Sequence, residues 1–326
     1  MVSAPSASAP SRPLRPLIPS TVRVPAGGDS SGPALHVRRR LLPCSPVPGG
    51  PRTNSPSGLA DRLLTGSLSD EALLRETGSG IDTPLLPFAS VIKIGGQSVI
   101  DRGRAALFPL LEELEQNLAE HRLIIGTGAG TRARHAYSVG VDLGLPTGVL
   151  TTLGTGVAMQ NARILGYLLA RHGIPVITPI EFGQLPLYLA ERHAVVFPGM
   201  PPYTYWEHNA RVGLIPPHRT DTGTYLVSEV FGARSMIYVK DEDGLYTDDP
   251  KRNPSAKFVP KATVEELLAS DFNDLVVERA VLEFMLNARH MKRIQVINGL
   301  IPGNLTRALA GEHVGTLIET DGFDGG

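Results

Sequence analysis

Cysteine is nearly absent: Cys44 is the only one in 326 residues. A single thiol can form neither an intramolecular disulfide nor a thiolate metal cluster. That excludes secreted disulfide scaffolds and zinc ribbons and makes a reducing, cytoplasmic setting the expectation. Long hydrophobic runs are missing too. Apolar stretches such as 123–125 and 195–197 are soon broken by Gly, Pro or charge, well short of the roughly 18 residues that a membrane span needs, so no membrane partner is expected. Nor is there an excess of charge of one sign. A net charge of −1 gives no general basic field, and no nucleic-acid partner is expected.

That balance hides two unlike parts. Residues 1–57 hold 12 of the 28 prolines, seven arginines, no lysine and one acid, Asp29, and carry +6, which leaves −7 on the remainder. So much Pro, Ser and Gly with so few large apolar residues cannot offset the entropy of ordering, and 1–57 is predicted to be a disordered, dispensable leader. Its composition also suits a transit peptide, although no amphipathic repeat surrounds residues 38–40. Residues 58–87 read as a helical arm and linker, with Leu59, Leu63 and Leu64 in one helical stretch and Ser69 as N-cap of a short turn over 70–74. An apolar helix outside the body has no face there to bury against, so 58–80 are expected to pack on a neighbouring chain.

Residues 88–322 alternate β-branched runs with helical patterns. Strands are predicted at 90–94, 122–126, 176–178, 194–197, 236–240, 293–296 and 315–318, and helices at 102–117, 131–142, 158–171, 221–231, 264–270, 278–289 and 305–310. This alternation implies an α/β fold with a mainly parallel sheet covered on both faces and ligands bound at the carboxyl ends of its strands.

Three loops after strands carry candidate chemistry. The run Lys93-Ile94-Gly95-Gly96 leads a strand lysine into paired glycines, whose amides can approach an anion unobstructed. Alone, it equally suits a common Gly-Gly turn with an ordinary strand-edge lysine. The loop 126–132, Gly-Thr-Gly-Ala-Gly-Thr-Arg, opens a helix and also suits an anion, yet it lacks the Gly-Lys-Ser/Thr ending of a P-loop and the spacing of a dinucleotide fingerprint. Arg132 and Arg134 stand at that helix start, where the dipole does not favour cations, so they need a counter-charge. The third run, 240–250, packs Asp241, Glu242, Asp243, Asp248 and Asp249 around Lys240 and Tyr246. Its glycine falls too early for a calcium loop, and the alternatives are a cation- or lysine-orienting cluster and a solvated acidic turn.

Together with Thr220-Asp221-Thr222 and the closing Gly315-Thr316-Leu317-Ile318, these loops resemble the amino acid kinase superfamily, especially its UMP kinase branch. The resemblance implies a three-layer αβα sandwich that binds ATP with Mg²⁺. By the same resemblance Lys93, Gly95 and Gly96 would lie at the transferred phosphate with Gly128 and Arg132 close by. Asp221 would lie near the triphosphate, and Lys240, Asp243, Tyr246 and Asp249 around adenine and ribose. Departures fall in the acceptor region. Thr151 stands where the branch has an aspartate for the acceptor sugar, and Ala129 stands where an asparagine is expected, so ordinary UMP kinase activity is not expected.

The runs 91–104, 126–135, 143–150, 199–203, 240–247 and 296–316 are more similar still to the β-type chains of the molybdenum storage family. That resemblance implies a hetero-oligomeric cage, an alternating α/β hexamer, which uses ATP to deposit molybdate or tungstate as polyoxometalate clusters. It also implies a homologous α subunit as partner, because Thr204-Tyr205-Trp206 replaces the histidine run that follows Pro-Pro-Tyr in α chains. By alignment with the cage lining of α, Thr178, Gln184 and Tyr188 are candidate wall residues. His135 is a further candidate, although a lone helix histidine is more often solvated or packed. His218, beside the nucleotide motif, is expected to contact phosphate. Retaining Lys93 and Asp221 is compatible both with ATP hydrolysis and with binding alone.

Overall fold

The computed structural model describes residues 57–78, 82–270 and 275–322. The predicted leader, Cys44 included, lies outside the described residues except for Ser57. The chain divides into two units between Glu76 and Thr77.

In the first unit, α1 (Ser57–Thr65) and α2 (Glu71–Thr77) are joined by a short turn. Asp70, one residue after the predicted Ser69, caps α2 by accepting the Ala72 amide at 2.9 Å. Arg62 pairs with Glu76. Leu63, Leu64, Leu68 and Leu74 are exposed.

The second unit is built on a seven-stranded sheet. In chain order its elements are β1 (Ala89–Ile94), α3 (Arg104–Asn117), β2 (Arg122–Thr127), α4 (Thr131–Asp142), α5 (Thr147–Leu168), α6 (Leu185–Glu191), β3 (Ala194–Pro198), α7 (Thr220–Val230) and β4 (Ser235–Lys240). A small antiparallel pair follows, β5 (Leu245–Tyr246) with β6 (Phe258–Val259). Then come β7 (Lys261–Thr263), α8 (Val264–Ala269), α9 (Arg279–Met285), β8 (Arg293–Asn298), α10 (Asn304–Leu309) and β9 (Thr316–Glu319). The strand order is β3-β2-β1-β4-β8-β9-β7, parallel except between β8 and β9.

Alternation along the central strands sends side chains into two cores. Val91, Ile124 and Tyr238 pack with Tyr225 of α7 and Val281 of α9. Ile92, Ile125 and Ile237 pack with Leu110 of α3, Leu165 of α5 and Leu305 of α10. Both faces are covered, as a parallel sheet requires.

Two expectations change markedly, and one strand of the main sheet was not expected. The run 176–178 makes only one bridge, Val176 to Val196, because Pro175 and Pro179 deny the ladder donors on either side. The helix expected at 158–171 begins eleven residues earlier, at Thr147. The added stretch holds Gly148, Gly154 and Gly156, residues of low helix propensity, but Gly148 and Gly154 admit Tyr205 and the Tyr137 ring at distances no Cβ would allow. The short edge strand β7 has no signal in composition.

Candidate nucleotide site

From β1 the chain runs to β2 and β3 on one side of the sheet, and from β4 to β8 on the other. The junction of β1 and β4 is therefore a switch point, where open α/β sheets form a crevice. A cavity of about 1370 Å³ opens there, larger than the roughly 300–1,000 Å³ usual for one small ligand.

The cavity floor is made by two loops in backbone contact. A Cβ on Gly96 would lie 2.3 Å from the Gly130 nitrogen, and one on Gly128 would lie 2.4 Å from the Gly96 nitrogen. Only glycine permits this approach, and it leaves a side-chain-free cradle. The Gly95 amide donates to the Val239 carbonyl at 3.0 Å and the Gly128 amide to the Ile94 carbonyl at 2.8 Å. Asn161 of α5 donates to the Gly128 and Ala129 carbonyls at 2.7 and 3.2 Å.

Lys93, near the end of β1, and Lys240, the last residue of β4, converge on Asp221 in the first turn of α7. Lys93 Nζ lies 2.5 Å from Asp221 Oδ1 and Lys240 Nζ 2.9 Å from Oδ2. All three are largely buried, and Tyr238 donates its hydroxyl to the Asp221 carbonyl at 2.9 Å. Burial pushes the Asp221 carboxyl up, but the charges of Lys240 and Lys93 outweigh it and hold the group below the ordinary carboxylate range. Burial dominates at Lys93, whose ammonium is lowered in spite of Asp221. Two ammoniums share one carboxylate, so the trio carries net positive charge beside the glycine cradle.

The start of α7 is fixed from far along the chain. Glu278 accepts the amides of Arg219, Asp221 and Thr222 at 2.9–3.1 Å and the Thr222 hydroxyl at 2.6 Å. At the start of α4, Asp101 accepts the Thr131 amide at 2.6 Å and lies 3.8 Å from Arg132. Sequence reasoning missed both acids. Neither stands in a motif, and each acts across 29 residues or more.

Of the site residues expected from sequence, Lys93, Gly95, Gly96, Gly128, Asp221, Lys240, Tyr246 and Asp249 all line the cavity. Arg132 does not; its guanidinium is held by Asn161 and Gln160. Arg134 lines the cavity in its place. Asp243 is also outside the lining and accepts from Asn298 at 2.9 Å. Its neighbour Asp241 does line it, bound to Arg102 and, at 3.0 Å, to Lys251. Tyr137, at the opposite wall, is pushed up to about 12 by burial and stays a neutral phenol. Thr151, in the acceptor region, is fully buried, and its hydroxyl returns to the Thr147 carbonyl at 3.1 Å. His218 is not part of the lining and pairs with Glu207.

The candidate wall residues lie elsewhere. Thr178 and Tyr188 converge on Glu181, which accepts the Thr178 amide at 2.7 Å, the Thr178 hydroxyl at 2.9 Å and the Tyr188 hydroxyl at 3.3 Å. These bonds, led by the Thr178 amide, lower the Glu181 carboxyl. Gln184 is exposed nearby, and His135 is exposed on α4. Glu181 was legible as the fourth residue of a Thr-x-x-Glu capping box.

Comparison with known proteins bears on family and fold. The model of the amino acid kinase family matches residues 89–304. The chain is 54% identical to the molybdenum storage protein subunit beta of Azotobacter vinelandii over 81% of this chain and 98% of that protein. It is 34% identical to the uridylate kinase of Thermofilum pendens over 71% of this chain and 97% of the kinase. Among solved structures, the UMP kinase of Bacillus anthracis superposes with a TM-score of 0.57 at 22% identity, covering 72% of this chain and 97% of the kinase. That likeness concerns the fold, a three-layer sandwich with a mostly parallel sheet. Motif, fold and sequence identity agree: the chain belongs to the amino acid kinase family and, within it, is a homologue of molybdenum storage protein β subunits.

Proposed function

We propose that this chain is a β-type subunit of a molybdenum or tungsten storage cage and binds ATP in the cavity between β1 and β4. The observation that carries the nucleotide reading is the trio of Lys93, Asp221 and Lys240. Its two ammoniums against one carboxylate, with Glu278 as a further acid in range, face a glycine cradle too tight for any side chain, an environment suited to a polyphosphate. Lys93 and the Gly96 amide would take the terminal phosphates, in the space that Gly95 and Gly128 leave free of side chains. Tyr246 and the acidic turn through Asp249 would flank base and ribose.

The donor set fits Mg²⁺ bound mainly through phosphate and water. Asp221 Oδ1 is buried and accepts no hydrogen bond of good geometry among the described residues, although the Lys93 ammonium is close. One carboxylate beside phosphates is a common Mg²⁺ environment, and the ion would supply charge neutralisation there.

The storage reading rests on the 54% identity to a protein named as a storage subunit. The term beta subunit supports a homologous α partner for this chain. The four exposed leucines of 58–76 support an arm that packs on a neighbouring chain. Uridylate phosphorylation is disfavoured because the Thr151 hydroxyl is turned into its own helix and offers nothing to an acceptor sugar.

One experiment separates the two activities. The complex is purified, incubated with molybdate or tungstate and ATP, and examined by elemental analysis beside a UMP assay. Many Mo or W atoms per chain are expected. Conversion of UMP to UDP at roughly 1–10³ per second without metal loading would establish the kinase instead.

A further inference from the structure

Away from the nucleotide cavity, Glu207, His208 and His218 bring one potential ligand atom each to within 4.8 Å of the others. Sequence spacing hides the group. Glu207 and His208 follow a single helical turn at Thr204–Trp206, and His218 arrives from ten residues beyond His208.

Glu207 has a fully buried side chain, and its only hydrogen-bond partner among the described residues is His218, whose Nδ1 lies 3.0 and 3.2 Å from the two carboxylate oxygens. A buried carboxylate normally accepts several donors or faces a full positive charge; one imidazole N–H is thin compensation.

His208 is exposed at the mouth of the group. Its Nδ1 lies 3.0 Å from the Asn209 carbonyl, which can only accept, so Nδ1 carries a proton and Nε2 is the nitrogen left to face a ligand. Fixing a histidine tautomer through a carbonyl in this way is what metal-ligating imidazoles do. The rings of His208 and His218 meet edge to face at 5.2 Å, and Phe284 stacks on His218 at 5.4 Å, giving that imidazole one orientation.

The backbone leading into the group is strained. Thr204 has φ of +44°, a left-handed conformation that is unfavourable for a β-branched residue. The strained turn directly precedes Glu207, whose carboxylate is enclosed.

We propose that Glu207, His208 and His218 form a binding site for a divalent transition-metal cation of the zinc type, with one carboxylate and two imidazole ligands and an open fourth position. The 3.0 Å between His218 Nδ1 and Glu207 is close to the roughly 3.3 Å that separates neighbouring ligands in a tetrahedral zinc site. A cation that replaces the proton between them needs only His208, the exposed member, to turn in. The ligand set favours this class over the alternatives. Mg²⁺ and Ca²⁺ prefer all-oxygen shells, and an oxoanion would meet the buried carboxylate of Glu207 as a like charge.

The test uses the full chain in its complex, stripped with chelator and titrated with Zn²⁺ by calorimetry, and with Co²⁺ while its visible absorption is recorded. Wild type is expected to bind one Zn²⁺ per chain at this site and to give the intense bands of four-coordinate Co²⁺. His208→Ala, an exposed position whose loss leaves packing intact, should weaken Zn²⁺ binding roughly tenfold or more and abolish those bands. Glu207→Gln keeps the shape and should do the same. His172→Ala, an exposed histidine outside the group, is the control and should leave Zn²⁺ binding unchanged. Zn²⁺ binding unaltered by His208→Ala would overturn the proposal, as would no Zn²⁺ binding by the wild type. Molybdate binding lost in His208→Ala without any Zn²⁺ binding would also overturn it and assign the residues to oxoanion contact.

Discussion

Asp221 at the nucleotide cavity and Glu181 in the 178–188 segment are both carboxylates at the centre of a polar cluster, yet they are held in opposite ways. Asp221 is enclosed between two ammoniums and accepts little else through its side chain. Glu181 meets no cation among its bonded partners and is held by an amide and two hydroxyls. Charge compensates the first and dipoles the second. The difference tells where a ligand is expected. A cluster with surplus charge is complete only when a counter-ion arrives, whereas one closed by dipoles is complete already.

Three substitutions press on this contrast. Asp221→Asn should have the largest effect, because it leaves two buried ammoniums facing each other. A loss of about 3–5 kcal/mol in urea unfolding is expected, together with loss of ATP binding. A loss under about 1 kcal/mol would mean that water, not Asp221, compensates the lysines.

Lys93→Met should uncouple binding from stability. ATP affinity measured by calorimetry should fall roughly 10–100-fold, while stability stays level or rises by about 1 kcal/mol, since Asp221 keeps Lys240. The pH dependence carries the same signature. The Lys93 pKa is lower in the folded state than in the unfolded one, so between those two values the unfolded chain binds more protons. Wild-type stability should therefore rise with pH up to about 10.4, a rise that Lys93→Met removes. Asp221, lowered on folding, has the opposite limit: its contribution is full above about 3.9 and is lost as pH falls through the lower folded value.

Thr178→Val should be the mildest. It removes one hydroxyl donor from Glu181 and leaves the backbone donor, so thermal or urea unfolding should shift by about 1 kcal/mol or less. A larger loss would show that the dipolar cluster is as dependent on each member as the charged one.

How much of this was legible in sequence depends on the range of the signal. β1, β2, β3, β4 and β8 are β-branched runs ended by Gly, Pro or charge, and their limits lie within about two residues of expectation. The cradle, Lys93 and Asp221 were readable because each sits at a strand end or a helix start, in spacings that recur across a family; that Lys240 turns to Asp221 was not, since the resemblance placed it around adenine and ribose. Side-chain direction within a tight turn was not readable. Asp241 and Asp243 are two residues apart in one acidic run, and only Asp241 reaches the cavity, since Asp243 is drawn off by Asn298 of β8. Glu278 and Asp101 escaped for a different reason. A side chain that caps a helix from another part of the chain leaves no local trace, because the receiving amides belong to every sequence alike.

Glu278 has a mechanical consequence. Its carboxylate grips three amides at the head of α7, while its own backbone continues the strip Leu275–Val277 along the cavity wall. The helix that carries Asp221 and the wall opposite are thus fastened by one clasp. Together with the packing of Tyr225 and Val281 in one core, the carboxyl group couples α7 to α9 and to the wall strip that precedes it.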